Sequence, residues 1–142
     1  MKRKQYRIED EFPSVGDVYQ TRVDSRLRVL RFFRQDSRQV WLSDGSRLFQ
    51  RRPEQVKPVR IDHRLLLRLG FQPNGSRLVL DRSGLHFEAY ERAGTMHIEI
   101  TPHGSDQKTY VCCDFVHEVQ HLKRLRIAGL AEQVIQVFTD GL

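Results

Sequence analysis

The stretch Gln39-Val40-Trp41-Leu42-Ser43-Asp44-Gly45-Ser46-Arg47-Leu48-Phe49-Gln50 reads as two short strands folded back on each other. Asp44-Gly45 supplies the positive φ that a tight hairpin requires, so Ser43–Ser46 is the turn and Arg47–Gln50 the returning strand. Toward the N-terminus, Leu27 to Arg34 alternates charged and apolar residues and breaks at Gln35-Asp36-Ser37, while Gly16-Asp17-Val18-Tyr19 opens an earlier strand. Toward the C-terminus, Pro53-Glu54-Gln55-Val56 forms one helical turn before a last strand from Val56 to Ile61. Five short strands within about 45 residues predict a small barrel, because closing a sheet removes its exposed edges.

The second half follows a different plan. Asp62 is a good N-cap for a short helix from His63 to Leu69 that stops at Gly70, with Leu65, Leu66 and Leu69 on one face. Strands are then expected at Arg77–Leu80, Leu85–Glu91, Met96–Thr101 and Thr109–Cys113, separated by Asn74-Gly75, Ser83-Gly84, Ala93-Gly94 and His103-Gly104. Asp114 caps a helix running to about Ala128, with Phe115, Val119, Leu122 and Leu125 as its buried stripe. Leu130 to Phe138 is a final short helix. The chain is thus expected to be α+β: a basic, polar tail over residues 1–14, a small barrel over 15–61, and a helix, an antiparallel sheet and C-terminal helices over 62–142.

With 142 residues, 39% hydrophobic and 30% charged, the chain has the composition of a folded protein. No apolar run is long enough to span a membrane, and the basic start lacks the apolar stretch of a secretory signal, so a cytoplasmic location is expected. Cys112 and Cys113 are neighbours whose side chains point to opposite faces of a strand, which predicts two reduced thiols.

The net charge of +6 is placed unevenly. Residues 1–70 hold 17 Lys and Arg against 9 Asp and Glu, whereas residues 71–142 hold 7 against 9. A polyanion would meet the front half first. Arg26, Arg28, Arg31 and Arg34 on one strand, then Trp41, Arg47, Arg51 and Arg52, are the candidate nucleic-acid contacts. Guanidiniums neutralise phosphates and release counterions, and an exposed aromatic offers bases a stacking surface. On a regular strand Leu27, Val29, Arg31 and Phe33 share one face, and Arg28, Leu30, Phe32 and Arg34 the other. A purely structural alternative puts Leu27, Val29, Phe33 and Trp41 in the barrel core with the arginines solvated around them.

His117-Glu118-Val119-Gln120-His121 matches the H-E-x-x-H pattern in which two imidazoles one helical turn apart hold zinc and the Glu activates water. Against a zinc hydrolase stand Arg124 on that same helix face, only Glu132 and Asp140 as nearby acidic third ligands, and a basic front half with no role in a minimal peptidase. Both histidines are therefore expected on a solvated helix face, with no metal and no cofactor.

Gly16-Asp17-Val18, Val56-Lys57-Pro58-Val59-Arg60-Ile61, Leu69-Gly70-Phe71 with Asn74-Gly75, and Tyr110-Val111 leading into Phe115–Leu122 together resemble a family of small uncharacterised proteins from phages and mobile elements of Bacteroidota. The resemblance covers roughly residues 15 to 129. It implies an SH3-like barrel followed by a compact sheet-and-helix unit, and relatives with Gln at position 118 and Asn at position 121, which makes the H-E-x-x-H match accidental. Residues after Gly129 depart from the family's usual ending. The leading expectation is a non-catalytic binding protein that contacts nucleic acid or a nucleoprotein through its front half. The alternatives are a protein-binding accessory that inhibits a host defence complex, which follows from the phage context alone, and the zinc hydrolase.

Overall fold

Alternating apolar and polar residues between Val18 and Arg51 are realised as four antiparallel strands: β1 (Val18–Val23), β2 (Arg26–Gln35), β3 (Val40–Ser43) and β4 (Leu48–Arg51). A two-residue β5 (Lys57–Pro58) pairs with β1, giving a five-stranded sheet in the order β4-β3-β2-β1-β5. The computed structural model describes residue 8 and residues 12–121, 131–140 and 142. They fall into two compact units, one ending at Val59 and the other starting at Arg60.

In the first unit, Tyr19, Val23, Leu30, Phe32, Val40, Leu42, Phe49 and Val56 pack with Ile8 into one cluster. This corrects the alternative core: Leu30 and Phe32 are buried, whereas Leu27 is 58% and Phe33 44% exposed. The Asp44-Gly45 hairpin is also displaced by one residue from the expectation: Ser43 pairs with Leu48, so Asp44–Arg47 form the loop and Arg47 precedes the returning strand. The Asp44 carboxylate holds it closed by accepting the N–H groups of Ser46 (2.8 Å) and Arg47 (2.7 Å). The last expected strand, Val56–Ile61, shrinks to β5, where Pro58 has no N–H to give a ladder. The single helical turn is a 3-10 turn at Pro53–Gln55.

Asp24-Ser25 makes a two-residue hairpin between β1 and β2, which the sequence did not signal because neither residue is glycine. Val23 pairs with Arg26, and both turn residues have positive φ, 52° and 68°. Such turns match the twist of the strands but suit Asn and Gly, and the left-handed region costs a residue with a Cβ about 1 kcal/mol or more.

The second unit begins with α1 (His63–Arg68), capped by Asp62, whose carboxylate accepts the Leu65 N–H at 2.9 Å. Gly70 ends it at φ 106°, and a Cβ there would meet Arg82 Nη2 at 2.8 Å. Five strands follow as a meander: β6 (Gln72–Asn74), β7 (Arg77–Arg82), β8 (Leu85–Arg92), β9 (Thr95–Pro102) and β10 (Thr109–Cys113), in the order β10-β9-β8-β7-β6. β6 was absent from the sequence reading. Two-residue turns at Ser83-Gly84 and Ala93-Gly94, all four residues with positive φ, join the longest strands.

Two further helices, α2 (Val116–Gln120) and α3 (Ala131–Thr139), complete the described residues. The expected stripe residues Leu122 and Leu125 lie outside them. Phe71, Phe87 and Phe138 meet with ring centroids 6.1 to 6.4 Å apart, placing one aromatic from the loop after α1, one from β8 and one from α3 in a single core. On β10 the strand alternation separates the cysteines: Cys112 is exposed and Cys113 buried. Burial, with the nearby Glu118 carboxylate, pushes the Cys113 thiol up to about 12. Among the described residues, no helix is long and apolar enough to cross a membrane.

Replacing Ser25 with glycine is expected to stabilise the first unit by about 1 kcal/mol, since it relieves the positive-φ cost at the second turn position. A urea midpoint no higher than that of the parent chain contradicts this account of the turn.

Candidate nucleic-acid interface

Cross-strand register decides which arginines share a face. On β1 and β2, Val18 pairs with Arg31, Gln20 with Val29 and Arg22 with Leu27, while Tyr19 pairs with Leu30 in the core. On β3, Phe32 pairs with Leu42, yet Arg34 pairs with Trp41: the register shifts by one residue between Phe32 and Arg34. A β-bulge leaves one residue of the strand without its own partner and turns the following side chains over. Phe33 is that surplus residue. Arg34 therefore leaves the Leu30/Phe32 face, where regular alternation put it, and joins Arg31 and Trp41 on the outer face.

The outer face of the first sheet thus carries Arg22, Arg31, Arg34 and Lys57, with Trp41 half-buried beside Arg34 and Leu27 and Leu48 exposed. The Arg34 guanidinium lies 4.3 Å from the Trp41 ring centroid, close enough for a cation–π contact. Arg31 Nη1 donates to the Gly16 carbonyl at 3.1 Å. None of the strand residues on this face is acidic. Among the described residues, none of its four cations lies within ion-pair distance of a carboxylate.

Two of the unit's acids, Asp36 and Asp44, sit instead in turns with their carboxylates occupied. Asp36 accepts the N–H groups of Arg38 (2.8 Å) and Gln39 (2.9 Å), much as Asp44 does in the next loop. These backbone donors hold both carboxyls below their ordinary range, assisted by Arg34 and Arg38 near Asp36 and by Arg28 and Arg47 near Asp44.

The other candidate arginines go elsewhere. Arg28, Arg47 and Arg51 surround the Phe49 ring, with guanidinium carbons 6.0, 4.9 and 5.6 Å from its centroid. They close the end of the core with their stems while their charges stay in water. Arg28 Nη2 also reaches Asp44 Oδ2 at 3.9 Å. Arg26 flanks the Asp24-Ser25 hairpin, and Arg52 pairs with Glu54 at 3.3 Å, both side chains about two-thirds exposed. Of the eight predicted contacts, the fold gathers Arg31, Arg34 and Trp41 into one surface, groups Arg28, Arg47 and Arg51 into a second, and leaves Arg26 and Arg52 apart. Arg22 and Lys57 were not among the predicted contacts, because the sequence did not show that β1 pairs with both β2 and β5.

The second sheet makes a useful contrast, since its outward side chains neutralise one another. Arg77 Nη1 bridges Glu88 (3.1 Å) and Glu99 (2.8 Å), and its guanidinium lies 4.4 Å over the Tyr90 ring. Lys108 reaches Glu99 at 3.7 Å, and Asp81 bonds both His86 and His103.

His117-Glu118-Val119-Gln120-His121 takes a form unlike the expected solvated helix face. The N-cap is Phe115, one residue later than expected, so Val116, His117 and Val119 face the interior and His117 is 1% exposed. Its ring stacks on Phe115 at 5.7 Å between centroids. Glu118 Oε1 accepts the N–H groups of Asp114 (3.0 Å) and Phe115 (2.9 Å), so this carboxylate closes the helix start. Among the described residues, no group of three or more His, Cys, Asp or Glu side chains is arranged to hold a metal ion.

Two measurements check these assignments. Glu118→Ala is expected to cost about 1 kcal/mol by leaving two helix-start donors without their acceptor; an unchanged unfolding midpoint contradicts the capping role. For Asp44, a folded pKa below the unfolded one means stability that is present above the unfolded value, about 4, and is lost as pH falls through the folded value. Asp44→Ala is therefore expected to flatten the acid limb of stability against pH, and a limb parallel to the parent's contradicts the loop-closing role.

No protein-family model, curated protein or solved structure matches this chain, so the role of the outer face is read from its own chemistry.

Proposed function

We propose that this chain is a non-catalytic binding protein whose first unit contacts single-stranded nucleic acid through the outer face of its sheet. One observation carries the reading: four cations without carboxylate partners among the described residues lie on a face whose strand residues include no acid, with a half-buried tryptophan stacked against one of them, Arg34. A backbone of phosphates supplies the missing counter-charge, and counterion release drives its association. Trp41 and the Arg34 guanidinium stacked on it offer planar surfaces to a base, which only an unpaired strand can present. The exposed Leu27 and Leu48 give the sugar and base edges apolar contact.

The same reading takes the first unit as an SH3-like small barrel. Supporting it are the strand order, with β1 between β2 and β5, the long β2 broken by a bulge, and the 3-10 turn just before β5. Two hydrogen bonds draw the far end of the sheet round onto β1: Arg51 Nη2 donates to the Arg22 carbonyl, and Thr21 Oγ1 to the Gln55 carbonyl. A phage or mobile-element origin, implied by the sequence resemblance, suits a small accessory of this kind.

Trp41 is the chain's one tryptophan, so its emission reports directly on the proposed surface. Single-stranded DNA or RNA is expected to quench it, and a duplex of the same sequence to quench it less. If Arg22, Arg31, Arg34 and Lys57 each meet a phosphate, log affinity falls with log salt at a slope of about −3, and Arg31→Gln makes the slope shallower by about 0.7. Unchanged Trp41 emission together with salt-independent or absent binding for both DNA and RNA overturns the proposal.

A further inference from the structure

We infer that a cavity at the β1–β2 hairpin end of the first unit is a site for a phosphomonoester, the terminal phosphate of a nucleic-acid strand. The inference rests on the nucleic-acid reading above and names the part of the strand that the first unit holds.

The cavity measures about 270 Å³, and Arg22, Arg51 and Lys57 line it. The one carboxylate in its wall, Glu54, lies 3.3 Å from Arg52 Nε. Arg51 is held in place by its own backbone contacts: Nη1 donates to the Gln50 carbonyl at 2.8 Å and Nη2 to the Arg22 carbonyl at 3.1 Å. A guanidinium has five N–H donors, so an immobilised one keeps others for an anion at little further entropic cost. Leu27 supplies an apolar wall.

Charge and size select the ligand. An internal phosphodiester carries one negative charge, whereas a phosphomonoester carries about −1.5 to −2 near neutral pH and has three strong acceptor oxygens. Three cations around one cavity match the monoester. At about 270 Å³ the cavity has room for a phosphate group. Arg22 and Lys57 belong both to the cavity and to the outer face, so a strand whose end is seated here continues onto that face.

The test uses the full chain and one labelled oligonucleotide sequence with a 5′-phosphate, a 3′-phosphate or hydroxyl ends, measured by fluorescence anisotropy, with inorganic phosphate titrated separately by amide NMR. One phosphorylated end is expected to bind about tenfold tighter than the hydroxyl-ended strand, the effect of one added set of charge-assisted hydrogen bonds. Arg51→Gln is expected to bring that ratio near one, and Glu54→Gln to raise it; opposite shifts from two neighbouring substitutions separate a cavity effect from a general loss of fold. Equal affinity for all three ends overturns the cavity assignment and leaves the outer-face reading intact. If no oligonucleotide binds, the outer-face reading falls. In that case, phosphate-induced shifts confined to residues 20–27 and 51–57 keep the phosphomonoester site with a free phosphate as its source, and their absence overturns it.

Discussion

Strand β2 carries one residue more than β3 can pair, and since side chains alternate along a strand, the surplus at Phe33 turns Arg34 from the core side to the solvent side. The stacked pair of Arg34 and Trp41 on the outer face depends on that rotation. Without it Arg34 would stand with Leu30 and Phe32, and Trp41 would lack its guanidinium neighbour. The ten residues of β2 serve β1 along their first part and β3 along their last, and the bulge falls within the second of these pairings.

The two sheets handle charge in opposite ways. In the second, Arg77, Lys108, Glu88 and Glu99 form a network in which each cation has a carboxylate within 4 Å. Such a network leaves a face with little net attraction for an ion. In the first unit Asp36 and Asp44 are withdrawn into turns, where backbone N–H groups occupy them, and the outer-face cations are left without carboxylate partners among the described residues. The basic excess of the front half is therefore expressed as an uncompensated face, a property that composition alone does not give.

Much of the architecture was legible in the sequence wherever glycine or a capping residue punctuated it. Asp62 and Gly70 bracketed α1, Ser83-Gly84 and Ala93-Gly94 marked the hairpins, and α3 followed from its apolar spacing. Asp24-Ser25 gave no such signal, so β1 was read only at its start and Arg22 was passed over. The bulge did leave a trace: in Leu30-Arg31-Phe32-Phe33-Arg34 two adjacent aromatics break the alternation, and omitting Phe33 restores it. The division of the eight candidate residues was only partly within reach: alternation puts Arg47 and Arg51 on the Phe49 face, but Arg28 reaches the same ring from β2, a strand far away in the chain. The H-E-x-x-H stretch misled about exposure for a related reason: moving the helix start from Asp114 to Phe115 rotates His117 inward.

The adjacent cysteines of β10 illustrate how strand alternation creates chemical individuality. Cys113 is sealed inside with its thiol held protonated, while Cys112 faces water one residue away. Thiolate is the reactive form, so maleimides and oxidants meet one addressable sulfur in a chain that contains two. A dye or spin label placed there sits on the second unit, leaving the tryptophan of the first as an independent optical reporter.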